Sequence, residues 1–517
     1  MLCLLVALWA PGLGAREHQG ISDSELVELA GRAMKEYQVP GMAIGVIKSD
    51  KVLIRRGFGI REMGKPQKID PETLFKIASN SKAFTTAALA ILVDEERVSW
   101  QDPVIEHIPE FRMNEPWVTA NFNVTDLLTH RSGMKRFVGD LMLWPEPNNF
   151  TRADIIGALQ NFELVSGFRT EYAYDNQLYI VAGEIIPRVS GVPWGEFVEK
   201  RIMQPAGMKR CFADAIPKRH MRNLATPHGV IDGQLSIIER GRIPRQPPMS
   251  AAAGGIICSL GDMLTWVSTQ LNHGISPDGR VLFSEMQSKE MWTPRTLQTV
   301  RDRDFELHKT HFKAYGLGWR LADVHGYKEV SHTGTLAGFR SYVVLIPELE
   351  LGVVFLSNGA SSTARAAVMN TIVRSFMPVE QRDWIQLYKD EAEARDEQLR
   401  LSTIVEEPAV EAPQECCDPD LSSFTGRYRD PWFGDVNIYL DDGRLMFAAE
   451  KSPKLTGPMQ HHYGNRFKIL WPDRTLKADA WVTFERDARG AVIAMTMLQV
   501  SEDDNYDFTD LEFSRVD

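Results

Sequence analysis

The hydrophobic pattern of the chain changes character once, near residue 420, and that change limits what it can fold into. Beyond Leu421 apolar and polar residues alternate: Val436, Ile438 and Leu440 stand before Asp441-Asp-Gly443, Leu445 and Phe447 after it. A period of two on both sides of an Asp-Gly turn is a hairpin signal. Phe467 and Ile469, Val482 and Phe484, and Leu511 and Phe513 keep the period, so residues 421–517 predict a small antiparallel β-barrel or sandwich. Residues 381–400 are charged and free of Gly and Pro, as in a solvated helix, and 406–413 form a Pro-, Glu- and Val-containing tract. The segment 379–420 therefore reads as a linker.

Residues 22–378 carry a different text of mixed helix and strand. Gly41-Met-Ala-Ile-Gly-Val-Ile47 and Lys51-Val-Leu-Ile54 flank the polar turn Lys48-Ser-Asp50. A matching pair, Tyr342-Val-Val-Leu-Ile346 and Leu351-Gly-Val-Val-Phe-Leu356, comes late, so one sheet built from both ends of the domain is expected. The 517 residues exceed what one core usually supports, which also predicts two domains. A net charge of −11 excludes a general attraction to nucleic acid or anionic membranes. Residues 1–15 are apolar and followed by Arg16, a pattern that predicts a signal peptide and a secreted or periplasmic protein; no Lys or Arg precedes the run, and a buried N-terminal segment is the alternative. No later run of ~18 apolar residues predicts a membrane span. Of the five cysteines, Cys211 and Cys258 either pair or remain structural thiols, and no cysteine spacing suggests a metal site.

Ser79-Asn-Ser-Lys82 precedes an apolar run, residues 83–93, that reads as a buried helix. At a helix opening Ser79 and Lys82 lie one turn apart on one face, so the amine reaches the hydroxyl. Serine is a weak nucleophile until a neighbour takes its proton, and burial lowers a lysine pKa enough to make it a base. The spacing alone does not single out Ser79, because Ser132-Gly-Met-Lys135 shares it; Tyr174-Asp-Asn176 has a twin in Tyr463-Gly-Asn465, and His332-Thr-Gly334 has twins at His18 and His462.

Order separates them. Ser79 with Lys82, Tyr174 with Asn176, and His332 with Gly334 follow one another at intervals of 95 and 158 residues. With Leu127-Leu-Thr-His-Arg-Ser-Gly133, Ala253-Gly-Gly-Ile256 and Tyr315-Gly-Leu-Gly-Trp319, this resembles the serine β-lactamase and penicillin-binding-protein superfamily, in its branch of class C β-lactamases, D-aminopeptidases and related esterases. The tail resembles the lipocalin-like domain appended to some members. The resemblance implies an α/β (α+β) fold, an antiparallel sheet flanked by helices with an all-helical subdomain, followed by the barrel. It implies that Ser79 attacks a carbonyl, that Lys82 and Tyr174 share the proton traffic, and that Asn176 orients Lys82 and the substrate. Because a free tyrosine is a poor base at neutral pH, Tyr174 needs one or more nearby cations, with Lys82 the obvious candidate. The backbone N–H groups of Ser79 and Thr335 would form the oxyanion hole, with Gly334 leaving room for the substrate. Ser81 and His130 read as supporting groups, His130 bonding loop carbonyls.

Where many relatives carry Lys-Thr-Gly, this chain has His332, which is mostly neutral above pH ~6.5 and attracts a carboxylate less. The resemblance thus implies a peptidase, amidase or esterase acting on a small molecule or short peptide through an acyl-enzyme, with weak β-lactam turnover or penicillin binding at most. An acyltransferase, or a retired penicillin-binding-like structural protein, are the alternatives. No metal or organic cofactor is implied. The C-terminal domain either shades the pocket or joins copies of the chain into a homo-oligomer.

Overall fold

The fold was analysed in a computed structural model that describes residues 20–403, 420–501 and 506–516. The expected signal segment and residues 404–419 of the expected linker lie outside the described residues. The first element, helix α1 (Asp23–Glu36), opens on a capping box between Ser22 and Glu25, which satisfies N–H groups that a helix start leaves free. Strands β1 (Gly41–Lys48) and β2 (Lys51–Gly59) form the first hairpin, turning through Ser49 and Asp50 in the left-handed region.

Six further strands complete one antiparallel sheet: β3 (Thr296–Leu297), β4 (Lys313–Tyr315), β5 (Arg320–Val324), β6 (Tyr327–Leu336), β7 (Phe339–Ile346) and β8 (Leu351–Ser357). Its order is β2-β1-β8-β7-β6-β5-β4-β3, so β1 pairs with β8, Met42 opposite Ser357, and the two ends of the domain meet as the sequence predicts. The central strands are apolar at nearly every position because both faces are covered. Met42, Ile44, Val46, Val344 and Ile346 pack with α1, α5 (Ser362–Ser375) and the start of α6 (Trp384–Thr403). Ala43, Val343, Leu345 and Val354 face the opposite layer, which holds α2 (Ser81–Asp94) and α4 (Leu260–Leu271).

Between Lys76 and Cys211 the described chain forms helices and no strand, which gives the expected helical subdomain, with α3 (Gln177–Ser190) as long as α2. A short sheet of Leu74–Lys76, Ile257–Ser259 and Cys211–Phe212 ties this region to the main sheet. Cys211 and Cys258 are register partners in it and form a disulfide, which the sequence left open.

Eight antiparallel strands between Gly426 and Arg515 close into a barrel. Its Asp-Gly hairpin joins Gly434–Asp441 to Arg444–Ala449 with both Asp442 and Gly443 at positive φ, the twist that a two-residue turn needs. Phe424, Phe467 and Phe484 meet with ring centroids 4.9–5.6 Å apart, so aromatic side chains fill the interior. The barrel rests on the helical subdomain through Phe433 on Phe150 and Trp432 on Phe162, and through Lys451 paired with Asp154 at 2.6 Å. Among the described residues, no helix is long and apolar enough to cross a membrane.

Candidate active site

Ser79 sits in a 3₁₀ turn, Ala78–Asn80, that leads directly into α2. Ala78 is held at φ 50°, a region that costs a non-glycine residue about 1–2 kcal/mol. Long-range bonds hold it there. Ile77 N–H donates to the Ile256 carbonyl at 3.0 Å, and the Ser341 hydroxyl on β7 donates to the Ile77 carbonyl at 2.6 Å while accepting from Asn80 Nδ2 at 2.8 Å. Ser81 accepts from the Ile256 N–H, which matches its expected supporting role.

Lys82, one turn into the helix, is fully buried. Its Nζ donates to Asn176 Oδ1 at 2.7 Å and to the Ala253 carbonyl at 2.9 Å, and lies 3.4 Å from Ser79 Oγ. Burial pushes the amine down to about 7, with Arg320 pressing it lower and the carboxyls of Asp140 and Asp175 opposing the shift. Asn176, at the start of α3, turns its Nδ2 to Asp140 Oδ2 at 2.9 Å. Asp140 lines the cavity in front of Ser79, and burial raises its carboxyl to about 8.

Tyr174 packs its ring 4.9 Å from Lys82 Nζ and 4.1 Å from the His130 ring. Burial raises the phenol strongly; a hydrogen bond with the Ser79 hydroxyl and the charge of Arg320 pull it back. The Arg320 guanidinium carbon lies 5.8 Å from the same ring. His130 bonds the loop through a donor rather than the carbonyls expected: its Nδ1 accepts from the Asp175 N–H at 3.0 Å, which fixes the turn carrying Tyr174 and Asn176.

His332 occupies another position than the sequence suggests. On β6 the side chains alternate, so Thr333 and Thr335 line the cavity while His332 is turned inward and is 1% exposed. Its Nδ1 bonds the Thr333 carbonyl at 2.8 Å and its Nε2 bonds the Tyr315 hydroxyl at 2.9 Å. Burial, with Arg320 and Lys82 close by, keeps the ring well below its ordinary pKa, hence neutral. Its ring centroid is 6.3 Å from that of Tyr174, so it backs the site instead of facing it. Gly334 likewise makes room for a different neighbour than expected. A Cβ there would stand 2.3 Å from the Ile77 carbonyl and 2.1 Å from Ser341 Oγ, so the missing side chain admits the segment that leads to Ser79.

The repeated motifs separate cleanly in space. Ser132 accepts from the Met134 N–H, and Lys135 pairs with Asp507 and Asp510 of the barrel. His462 and Tyr463 belong to a barrel strand. Ser79, Lys82, Tyr174, Asn176 and Thr335 come together at one cavity of about 880 Å³. Its far walls include Trp432, Thr475 and Tyr506 from the barrel, so the C-terminal domain shades the pocket. Asp140, Arg320 and the Ala253 carbonyl were not singled out from sequence; only the Ala253-Gly-Gly phrase pointed near one of them.

The Beta-lactamase family model matches residues 26–376, and a domain of unknown function, DUF3471, matches residues 413–515. The chain is 25% identical over 448 residues to the unguisins hydrolase ungD' of Aspergillus campestris, covering 84% of this chain and 81% of that one. It is 25% identical over 342 residues to protein flp of Staphylococcus aureus, covering 65% and 63%. Among solved structures, the octameric penicillin-binding protein homologue from Pyrococcus abyssi superposes over 96% of this chain and 100% of its own, at a TM-score of 0.60 and 21% identity. The class C beta lactamase from Rhodobacter sphaeroides covers 67% and 98%, at a TM-score of 0.55 and 18% identity. With the family model spanning most of its length and the fold shared with both structures, the chain belongs to the Beta-lactamase family.

Proposed function

We propose that the protein is a serine hydrolase that cleaves an amide or ester bond of a small substrate through an acyl-enzyme at Ser79. The observation that carries this reading is the environment of Lys82: a buried amine near pKa 7, 3.4 Å from a serine hydroxyl that opens on a cavity. A group that loses its proton near neutral pH and touches the nucleophile is suited to general-base work.

In this mechanism Ser79 Oγ attacks the carbonyl carbon and its proton passes to Lys82 Nζ. The oxyanion is received by the backbone N–H groups of Ser79 and Thr335. Tyr174, kept protonated by burial, donates its proton to the leaving nitrogen or oxygen as the carbonyl re-forms, and recovers one from Lys82. A water then repeats the sequence against the acyl-serine and regenerates the hydroxyl. Asn176 holds Lys82 in line, and His332 positions Tyr174 and Tyr315 from behind. Relatives named as hydrolases of unguisins support hydrolysis, and a cavity of about 880 Å³ walled in part by the barrel suits a small molecule or short peptide. We also propose that the chain is secreted or periplasmic and that the barrel can join copies of it into a homo-oligomer.

The test is intact mass after exposure to a fluorophosphonate or a penicillin. Wild type should gain one adduct and Ser79→Ala none; an unmodified wild type sinks the acyl-enzyme. Product analysis with an added alcohol or amine then separates hydrolysis from acyl transfer.

A further inference from the structure

Lys82 and Tyr174 meet at a pocket lined by several arginines, of which Arg320 is the one set against the Tyr174 ring. His332 is neutral and turned inward, and Lys82 sits at the edge of losing its own charge. Arg320, on β5 beside β6, lines the same cavity and is cross-strand partner of Ser331, next to His332. Its guanidinium carbon is 5.8 Å from the Tyr174 ring, and its buried Nε has no hydrogen-bond partner among the described residues. A guanidinium keeps its proton at any working pH, unlike an amine in the same place.

We propose that Arg320 is the permanent cation of the site, a positioning residue that makes proton removal from both Lys82 and Tyr174 easier, beside Lys82, which the sequence offered as a cation for Tyr174. A fixed positive charge disfavours a second one nearby, so it presses Lys82 toward its neutral, basic form. The same charge stabilises the negative charge that grows on the Tyr174 oxygen as that phenol gives up its proton. At Tyr174 burial raises the cost of losing the proton and Arg320 opposes it; at Lys82 burial and Arg320 press the same way, against the carboxyls of Asp140 and Asp175.

Other groups face the same space. Asp140, beside Asn176, and Asp175, before α3, pull Lys82 the opposite way. His130 and His332 are held neutral, and the Tyr172 and Tyr315 hydroxyls carry no charge at neutral pH because burial raises both. Four more arginines stand around it: Arg365 on α5 is tied to the Gly334 carbonyl and Thr335 Oγ1, Arg340 on β7 donates to the Leu336 and Phe339 carbonyls, Arg136 lies over the Phe137 ring, and Arg240 donates to the Thr475 carbonyl of the barrel. Tyr342 on β7 lies near Arg320 but bonds toward Glu329.

The inference rests on the acyl-enzyme reading and is tested beside it. The rate of fluorophosphonate or penicillin adduct formation, followed by mass between pH 5 and 10, should rise with Lys82 deprotonation. In Arg320→Gln the acid limb should move up by about one pH unit, the size of a cation's effect at this range when partly screened. In Arg320→Lys it should move by less than half as much. A second readout needs no turnover: the 13Cε signal of Lys82 in protein carrying labelled lysine, assigned with Lys82→Met, should titrate about one pH unit higher in Arg320→Gln. If adducts form but neither limb nor signal moves, or if Arg320→Gln only raises KM for substrates bearing a carboxylate, the proposal is overturned and the acyl-enzyme stands. If no adduct forms in wild type while the Lys82 signal still shifts, the acyl-enzyme falls and the charge relation stands.

Discussion

Replacing Gly334 by alanine tests whether the close approach of β6 to the nucleophile's turn sets the site. The added Cβ would meet the Ile77 carbonyl at 2.3 Å, where ordinary contact begins near 3.4 Å, and the Ala78 Cβ at 3.0 Å. The Ser341 hydroxyl, 2.1 Å away, cannot swing clear without abandoning both its bond to Ile77 and the one it accepts from Asn80. The backbone of Ile77 must therefore retreat by about 1 Å, and Ser79 follows two residues later. Overpacking a tight core in this way costs about 1–3 kcal/mol, and a displacement of about 1 Å at a reacting group costs about a hundredfold in rate. We expect Gly334→Ala to lower the melting temperature by a few degrees and to slow adduct formation at Ser79 by about two orders of magnitude. Gly157→Ala is the matched control: that glycine is exposed in a short helix with nothing within 4 Å of a new Cβ, so it should be neutral or stabilise by up to about 1 kcal/mol. Unchanged rate and melting temperature in Gly334→Ala would refute the account of how this strand holds the nucleophile.

Three other outcomes follow from the same geometry. Asp140→Asn removes a carboxyl whose ionised form favours the proton on Lys82, so the acid limb of acylation should move down, opposite to Arg320→Gln. Because burial raises Asp140 from 3.8 to about 8, the wild-type fold loses stability progressively as pH rises through that window. Asp140→Asn should therefore be the more stable protein at pH 8 and equal at pH 3, as melting curves at the two pH values would show. Asp126→Ala strips a fully buried carboxylate from Arg131 and Arg169 and removes half of the capping box with Asn123. It should cost about 3 kcal/mol in denaturant titrations; a loss below 1 kcal/mol would show that the network is not needed. Lys135→Met breaks a partly exposed pair with Asp507 and Asp510 and should cost less than about 1 kcal/mol. Its effect should appear instead in KM, through the barrel segment at Tyr506 that walls the cavity.

The sequence by itself determined what is local or strictly ordered along the chain. Alternation and the Asp-Gly turn marked the barrel, the two apolar hairpins marked a sheet closed by both ends of the domain, and the succession of Ser79, Tyr174 and His332 separated one Ser-x-x-Lys from its twin at Ser132. Those features are written in neighbouring residues or in their order. What only the tertiary structure decided depends on burial and on contacts between distant segments. The direction His332 faces follows from the phase of β6 against its neighbours, which puts Thr333 and Thr335 on the cavity and the imidazole behind it. The pairing of Cys211 with Cys258 follows from strand register. Above all, the Lys82 amine is pushed down to about 7 because segments distant in the chain, among them those carrying Asn176 and Ala253, bury it away from water, with the charge of Arg320 pressing the same way. A pKa is set by dielectric and by charges a few ångströms away, and neither is visible in the spacing of a motif.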